Sequence, residues 1–443
     1  MSSSFFGTDG IRAQVGTSLL TPDGMIKLGI VLGTWITQNN KLNSVVFIGQ
    51  DTRNSSDLLS HALITGLLHK PINVQMLEVV PTPILEHITA HTQSSYGIMI
   101  TASHNKYQDN GIKLFKHSNG HAQKLTHEEE LEISHLLHAY DKQNFTINYE
   151  QLGTCLYFKE TLTLYKNFLE KNFKHNFLKN IKIVLDSANG AYSNYAPTLF
   201  SDFGATVITI NNSPNGKNIN ENCGALHPEQ LREVILKENA QIGFAFDGDG
   251  DRLIMVTAEG TICSGDDTLA LLMQHPAYKN QNTIVGTLMT NQGLVHSAHA
   301  HNKKFIRTPV GDKYVAQALI EHHLLLGGEP SGHTLLRDLS DSSDGLLTAF
   351  RILETMIEHN WTLKSFTKLP NYMLTMPIAT KKDLTKEPYA TIIKEHEKSI
   401  NGRLLIRYSG TEPALRIMIE DTTELHAKTV ALKLWQQLAI HLQ

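Results

Sequence analysis

Three stretches of this chain repeat one pattern: an apolar run of strand length, a polar turn, then apolar residues at helical spacing. Ser44-Val45-Val46-Phe47-Ile48-Gly49 turns through Gln50-Asp51-Thr52-Arg53-Asn54-Ser55 into Leu58, Leu59, Ala62 and Leu63. Ile181-Lys182-Ile183-Val184-Leu185 turns through Asp186-Ser187-Ala188-Asn189-Gly190 into residues 195–200. Thr283-Ile284-Val285-Gly286 turns through Thr290-Asn291-Gln292-Gly293 into residues 294–300. Strands alternating with helices in this way build βαβ units with mainly parallel pairing. Three separated copies predict three similar α/β domains rather than one large sheet. We place them at residues 1–152, 153–252 and 253–366. Residues 367–443 read as strand, helix, strand, strand and helix, a smaller C-terminal α+β cap domain.

The densest chemistry lies in Asp247-Gly248-Asp249-Gly250-Asp251-Arg252, set between the apolar runs 242–246 and 253–256. Carboxylates at i, i+2 and i+4 of an extended turn can converge, and the intervening glycines let the backbone bend. An all-oxygen ligand set suits a hard cation such as Mg²⁺. An EF-hand loop also begins with alternating aspartates, but it requires glycine and glutamate where this chain has Arg252 and Ala258.

Gly97-Ile98-Met99-Ile100-Thr101-Ala102-Ser103-His104-Asn105 ends a strand in small and polar groups, with Lys113 further on. The carboxyl end of a strand is where α/β domains place reactive groups. Ser103 is a candidate nucleophile and, taken alone, equally a turn or helix-capping serine. No GxSxG elbow surrounds it, which argues against an acyl-transfer hydrolase.

Arg407-Tyr408-Ser409-Gly410-Thr411-Glu412-Pro413, with Arg416 beyond, combines hydroxyls, guanidinium groups and a glycine as a nest for a phosphate dianion would. Gly327-Gly328-Glu329-Pro330-Ser331-Gly332-His333 could hydrogen-bond vicinal sugar hydroxyls, or be a plain turn. Phe6-Gly7-Thr8-Asp9-Gly10-Ile11-Arg12 offers an arginine that could hold a phosphate or pair with Asp9. No Walker loop or GxGxxG fingerprint occurs, so nucleotide chemistry is not expected.

A net charge of −4 without a long basic run argues against nucleic acid as a partner. No stretch approaches the roughly 18 apolar residues of a membrane span. The three cysteines share no CxxC spacing, and the N-terminus lacks a basic segment followed by an apolar one. A cytoplasmic protein is expected.

In order and spacing these motifs resemble the α-D-phosphohexomutase family. Three further segments strengthen the likeness: Asn218-Ile219-Asn220 with Cys223-Gly224, His227-Pro228-Glu229, and Val310-Gly311-Asp312-Lys313-Tyr314-Val315. The likeness implies four domains around a central cleft. It implies a phosphoserine at Ser103, and Mg²⁺ held by Asp247, Asp249 and Asp251 with the serine phosphate as a further ligand. Arg12, His104, Lys113 and Arg252 would surround the transferring phosphoryl group. Glu329, Ser331 and His333 would grip the sugar, and Arg407, Ser409, Gly410, Thr411 and Arg416 the other phosphate. The general base stays open among His104, Lys113 and His333.

The resemblance is strongest to the branch acting on glucosamine phosphates. It implies interconversion of glucosamine 6-phosphate and glucosamine 1-phosphate, with a hexose 1,6-bisphosphate as intermediate and activator, supplying UDP-N-acetylglucosamine and cell-wall precursors. A homodimer is compatible with it. Mutases of neutral hexose phosphates and a metal-dependent sugar phosphatase are the alternatives.

Overall fold

The computed structural model describes residues 5–7, 9–39, 44–140, 146, 148–362, 365–409 and 413–442. Among them, strands form four sheets, one for each expected unit. In the first, Val45–Gln50 is flanked by parallel Asn73–Val79 and Tyr96–Ile100, and antiparallel Asp109–Ser118 follows on the far side of Tyr96–Ile100. In the second, Lys182–Asp186 lies parallel to Thr206–Ile210 and Ile242–Phe246, and antiparallel Leu253–Thr257 borders the latter. In the third, Thr283–Thr287 lies parallel to Lys304–Thr308 and Leu326–Gly328, and antiparallel Thr334–Leu336 closes the edge. The fourth is wholly antiparallel, with Ala414–Glu420 between Asn371–Pro377 and Arg403–Tyr408.

Two expected divisions move. Thr154–Tyr157, assigned above to the second unit, pairs in parallel with Asn73–Val79 of the first sheet. Leu253–Thr257 and Ile262–Cys263, assigned to the third unit, complete the second sheet. In both cases a strand pairs back onto the sheet it has just left, which an apolar run cannot signal by itself.

One arrangement recurs. In every sheet a strand ends in a short loop, and the next strand returns antiparallel beside it. Those loops are residues 101–108, 247–252 and 329–333, and in the fourth sheet the reversal falls between Tyr408 and Ala414; these are the four chemistry-bearing segments of the sequence. The return strand stays hydrogen-bonded to its partner, so each loop is pinned at both ends.

One apolar cluster runs through the first three units, from Phe47 and Leu85 through Phe200 and Phe244 to Phe350 and Leu353. The fourth unit keeps its own core around Leu415, Ile417, Ile419 and Leu434. Phe350, on the helix Gly345–Glu358, meets Phe173, Phe177, Phe200 and Phe203 edge-on, with ring centroids 5.0–5.5 Å apart. Such aromatic packing is directional as well as apolar. No described helix is long and apolar enough to cross a membrane. Phe350→Ala is expected to cost about 3–5 kcal/mol by removing the hub of this cluster, read as an earlier thermal transition.

Candidate active site

Tyr96–Ile100 is buried throughout and delivers the chain to Ser103, which is 1% exposed. No helix follows; the next element is the strand from Asp109, so Ser103 is not a helix cap. Its φ of +51° is left-handed. Its backbone N–H donates to Thr101 Oγ1 at 2.9 Å, and that hydroxyl donates to Asp51 Oδ2 at 2.7 Å. Ser103 Oγ donates to Asp247 Oδ2 at 2.8 Å and lies 3.3 Å from His104 Nδ1. Burial, then the charges of Arg252 and Arg12, push the His104 pKa down to about 4. The imidazole beside the serine is therefore neutral at ordinary pH.

The strand Ile242–Phe246 carries the aspartate loop, whose three carboxylates each offer an oxygen within 4.8 Å of the others. Asp247 Oδ1 accepts from the backbone N–H of Gly250 at 3.1 Å and of Arg252 at 3.2 Å. At Gly250 the φ is +81°, and a Cβ would stand 2.3 Å from the Tyr192 ring, so glycine is required. Burial, reinforced by Asp251 and Asp249, holds the Asp247 carboxyl well above the usual carboxylate range. At Asp249 burial acts in the same sense, but the Lys113 charge overcomes it and the pKa falls below the usual range.

Lys113, on the strand Asp109–Ser118, supplies the local counter-charge. Its Nζ donates to Asp249 Oδ2 at 2.8 Å and Asp251 Oδ2 at 2.7 Å, and lies 3.2 Å from Asp9 Oδ2. Although burial opposes its charge, these three carboxylates raise its pKa. One lysine does not saturate them. Asp249 Oδ1 and Asp251 Oδ1 are buried without a hydrogen-bond partner. Buried carboxylate oxygens without hydrogen-bond partners, in a set whose ligand atoms lie within 4.8 Å of one another, are the donors a hard divalent cation takes, so the loop fits such a cation.

The third unit backs this loop. Gly345 N–H donates to Gly250 O at 3.1 Å, Ser343 Oγ to Asp251 O at 2.6 Å, and Leu253 N–H to Gly332 O at 3.1 Å. Arg252 Nε donates to His333 Nε2 at 2.9 Å. Glu329 is buried, and its Oε1 accepts from Gly311 N–H at 2.9 Å, while Ser331 is exposed beside it. Asp312, next to Gly311, accepts from Lys124 at 2.8 Å. Lys124 also donates to Asp9 at 2.7 Å, and Asp9 accepts from Arg12 at 2.7 Å. Lysines and carboxylates thus alternate from the first unit to the third.

On the fourth sheet, Arg407 pairs directly across from Arg416. The register puts the two guanidinium-bearing side chains on one face of the sheet. Ser409 is buried at the strand end, where its carbonyl accepts from Lys381 Nζ at 3.1 Å. Gly410 and Thr411 lie outside the described residues.

Known proteins match this arrangement along the whole chain. Models of phosphoglucomutase/phosphomannomutase alpha/beta/alpha domains I, II and III match residues 3–144, 163–260 and 264–372, and the C-terminal domain model matches 376–435. The chain belongs to the phosphoglucomutase/phosphomannomutase family. A phosphoglucosamine mutase of Coxiella burnetii is 39% identical, covering 96% of both chains. One from Acinetobacter baylyi is 38% identical over 99% of both. Among solved structures, a phosphoglucomutase/phosphomannomutase family protein from Burkholderia thailandensis superposes with a TM-score of 0.79 at 21% identity, covering 100% of this chain and 99% of that one. An Aspergillus fumigatus N-acetylphosphoglucosamine mutase, solved with GlcNAc-6P and magnesium, gives 0.64 at 16% identity, covering 98% and 95%.

Of the residues expected from the family likeness, Ser103, His104, Lys113, Arg12, Asp247, Asp249, Asp251, Arg252 and His333 fall in one connected polar cluster. Glu329 joins it through Gly311 and Asp312. Arg407, Ser409 and Arg416 sit together on the separate fourth sheet. Sequence reading passed over Lys124 and gave Asp312 no role, since nothing local marks either as an ion-pair partner.

Lys113→Gln removes the only lysine bonded to Asp249 and Asp251 among the described residues. We expect the metal-free variant to lose about 3–5 kcal/mol through uncompensated buried charge. Added Mg²⁺ should recover more melting temperature in the variant than in the unmodified protein.

Proposed function

We propose that this chain interconverts glucosamine 6-phosphate and glucosamine 1-phosphate, with Ser103 as the phosphoryl carrier. The observation that carries the reading is the 2.8 Å bond from Ser103 Oγ to Asp247, beside buried carboxylate oxygens that accept no hydrogen bond. A hydroxyl buried against three carboxylates is useful where a dianionic phosphate and a metal are to share the site. The near-identity in length with phosphoglucosamine mutases at 38–39% identity supports the amino sugar as substrate.

Phosphoryl transfer asks mainly for positioning and charge neutralisation. Asp247, Asp249 and Asp251 would hold Mg²⁺, which when bound supplies positive charge to the transferring group. Arg12, Lys113 and Arg252 add fixed positive charge around it. Phosphorylated Ser103 gives its phosphoryl group to the free sugar hydroxyl, so the Oγ–P bond breaks as the sugar O–P bond forms. The hydroxyl proton leaves to a neutral acceptor, and His104 Nδ1, 3.3 Å from Ser103 Oγ, is placed to take it. The resulting 1,6-bisphosphate turns over, Ser103 Oγ takes the other phosphoryl group, and the proton returns to the sugar oxygen released.

A reaction that presents either end of the sugar to one serine needs a second anchor for the idle phosphate. Arg407, Ser409 and Arg416 would supply that anchor, and Gly410 and Thr411, expected to belong to it, lie outside the described residues. Glu329, Ser331 and His333 would bind the sugar between the two ends.

Purified protein is expected to carry a partial phosphate adduct by intact mass, absent in Ser103→Ala, with activity lowered at least about a hundredfold by loss of the nucleophile. An active Ser103→Ala protein rules out the phosphoserine route. Turnover compared among glucosamine, glucose and mannose 6-phosphates, with a hexose 1,6-bisphosphate and with or without Mg²⁺, is expected to favour the amino sugar. Clear preference for a neutral hexose overturns the substrate, and sustained release of inorganic phosphate points to a phosphatase.

A further inference from the structure

The segment Asn218-Ile219-Asn220 carries no part of the chemistry described so far. In the structure it reaches the reactive serine from behind. Asn220, in the second unit, donates from Nδ2 to the carbonyl of Ser103 at 2.9 Å and of Asn105 at 3.2 Å. Its backbone is left-handed, with φ of +56°, and its N–H donates to Ala188 O at 2.9 Å.

Arg53 meets the same carbonyls from the first unit. Its side chain is wholly buried, and its Nε donates to Asp51 Oδ2 at 2.8 Å. One terminal nitrogen donates to the carbonyls of Ser103 at 3.0 Å and Asn105 at 2.8 Å. The other donates to Asp109 O at 3.0 Å and to Lys106 O. All five guanidinium N–H groups are used, three of them on the backbone of the serine loop and one on the first residue of the strand that follows. Gly248 of the aspartate loop closes the third side, where a Cβ would stand 2.6 Å from Ser103 O.

We propose that Asn220 is a positioning residue which, with Arg53, clamps the Ser103 carbonyl and holds the serine in its left-handed conformation against the aspartate loop. Each catalytic cycle changes what is bonded to Ser103 Oγ. A hold on Oγ would have to be broken at every transfer, whereas a hold on the carbonyl persists throughout. Arg53 fixes the loop within its own unit. Asn220 comes from the unit that bears Asp247, Asp249 and Asp251, so it registers the nucleophile to the metal ligands. Thr52 Oγ1 to Asn189 O at 2.6 Å and Asn54 N–H to Gly216 O at 2.9 Å tie the same two units beside it. Among the described residues, Asn220 has no hydrogen bond to those that would bind sugar or the idle phosphate, so its effect belongs in kcat rather than KM.

The inference rests on Ser103 being the phosphoryl carrier, and the test separates the two. Asn220→Gly and Asn220→Asp both tolerate the left-handed backbone. The first deletes the amide and the second turns a carboxylate toward two carbonyl oxygens. With glucosamine 6-phosphate and a 1,6-bisphosphate primer, kcat is expected to fall about tenfold or more in Asn220→Gly, which loses both amide hydrogen bonds to the loop. It should fall further in Asn220→Asp, while KM stays within about twofold and melting temperatures within a few degrees. Arg53→Lys, which keeps the charge but not the fork, should lower kcat more than Asn220→Gly. Unchanged kcat in Asn220→Gly at equal Ser103 phosphate content overturns the clamp. So does a rise in KM with kcat retained, or a kcat loss that simply follows melting temperature across the variants. Intact mass of the unmodified protein reports the premise independently: no phosphate on Ser103 removes the carrier reading, and with it this inference, whatever the Asn220 variants do.

Discussion

Three carboxylates gathered within 4.8 Å in a buried loop form the arrangement around which the rest of the site is built. At an effective dielectric of about 20, two ionised members of this set repel by on the order of 4 kcal/mol. The loop therefore stands only where other parts of the chain bring positive charge and hydrogen-bond donors to it. Lys113 comes from the first sheet, and Arg252 from the loop's own exit, steadied by His333 of the third unit. The donors that hold its backbone, Gly345 and Ser343, also come from the third unit. Neutralising one loop thus joins three units, and the shared apolar cluster from Phe47 to Phe350 keeps them in place.

Each unit offers its chemistry through the same piece of architecture, a loop between a strand and the strand that returns beside it. Hydrogen bonding on both sides restricts such a loop without a large core of its own. The fourth unit packs around a separate cluster and is tied to the third by hydrogen bonds from Asn291 and Gln292 to Glu420 and from Arg403 to Leu288 O.

Much of this was legible in the sequence because the chemistry is written in contiguous segments. Alternating aspartates and glycines foretell convergence, since spacing and backbone freedom are both local. The three strand–turn–helix copies likewise give the parallel cores. Ser103 by itself was ambiguous, and Asp247, 144 residues away, decides its surroundings. Arg53, Lys124, Asp312 and Asn220 went unassigned for a related reason: their roles lie in long-range pairing, which leaves no local periodicity. The divisions at 152 and 253 were misplaced because an apolar strand looks alike whether it opens a new sheet or completes the old one. Gly410 and Thr411 were expected at the phosphate anchor and fall outside the described residues.

The left-handed backbone at Ser103 also restricts which amino acid can stand there. A threonine hydroxyl offers the same oxygen, but its branched Cβ is strained at positive φ, at a cost of roughly 1–2 kcal/mol. Aspartate accepts that backbone more readily, but a carboxylate has no proton to donate to Asp247 Oδ2. Of the two common exchanges for serine, threonine is therefore disfavoured by conformation, and aspartate forfeits the hydrogen bond that ties this position to a loop 144 residues away.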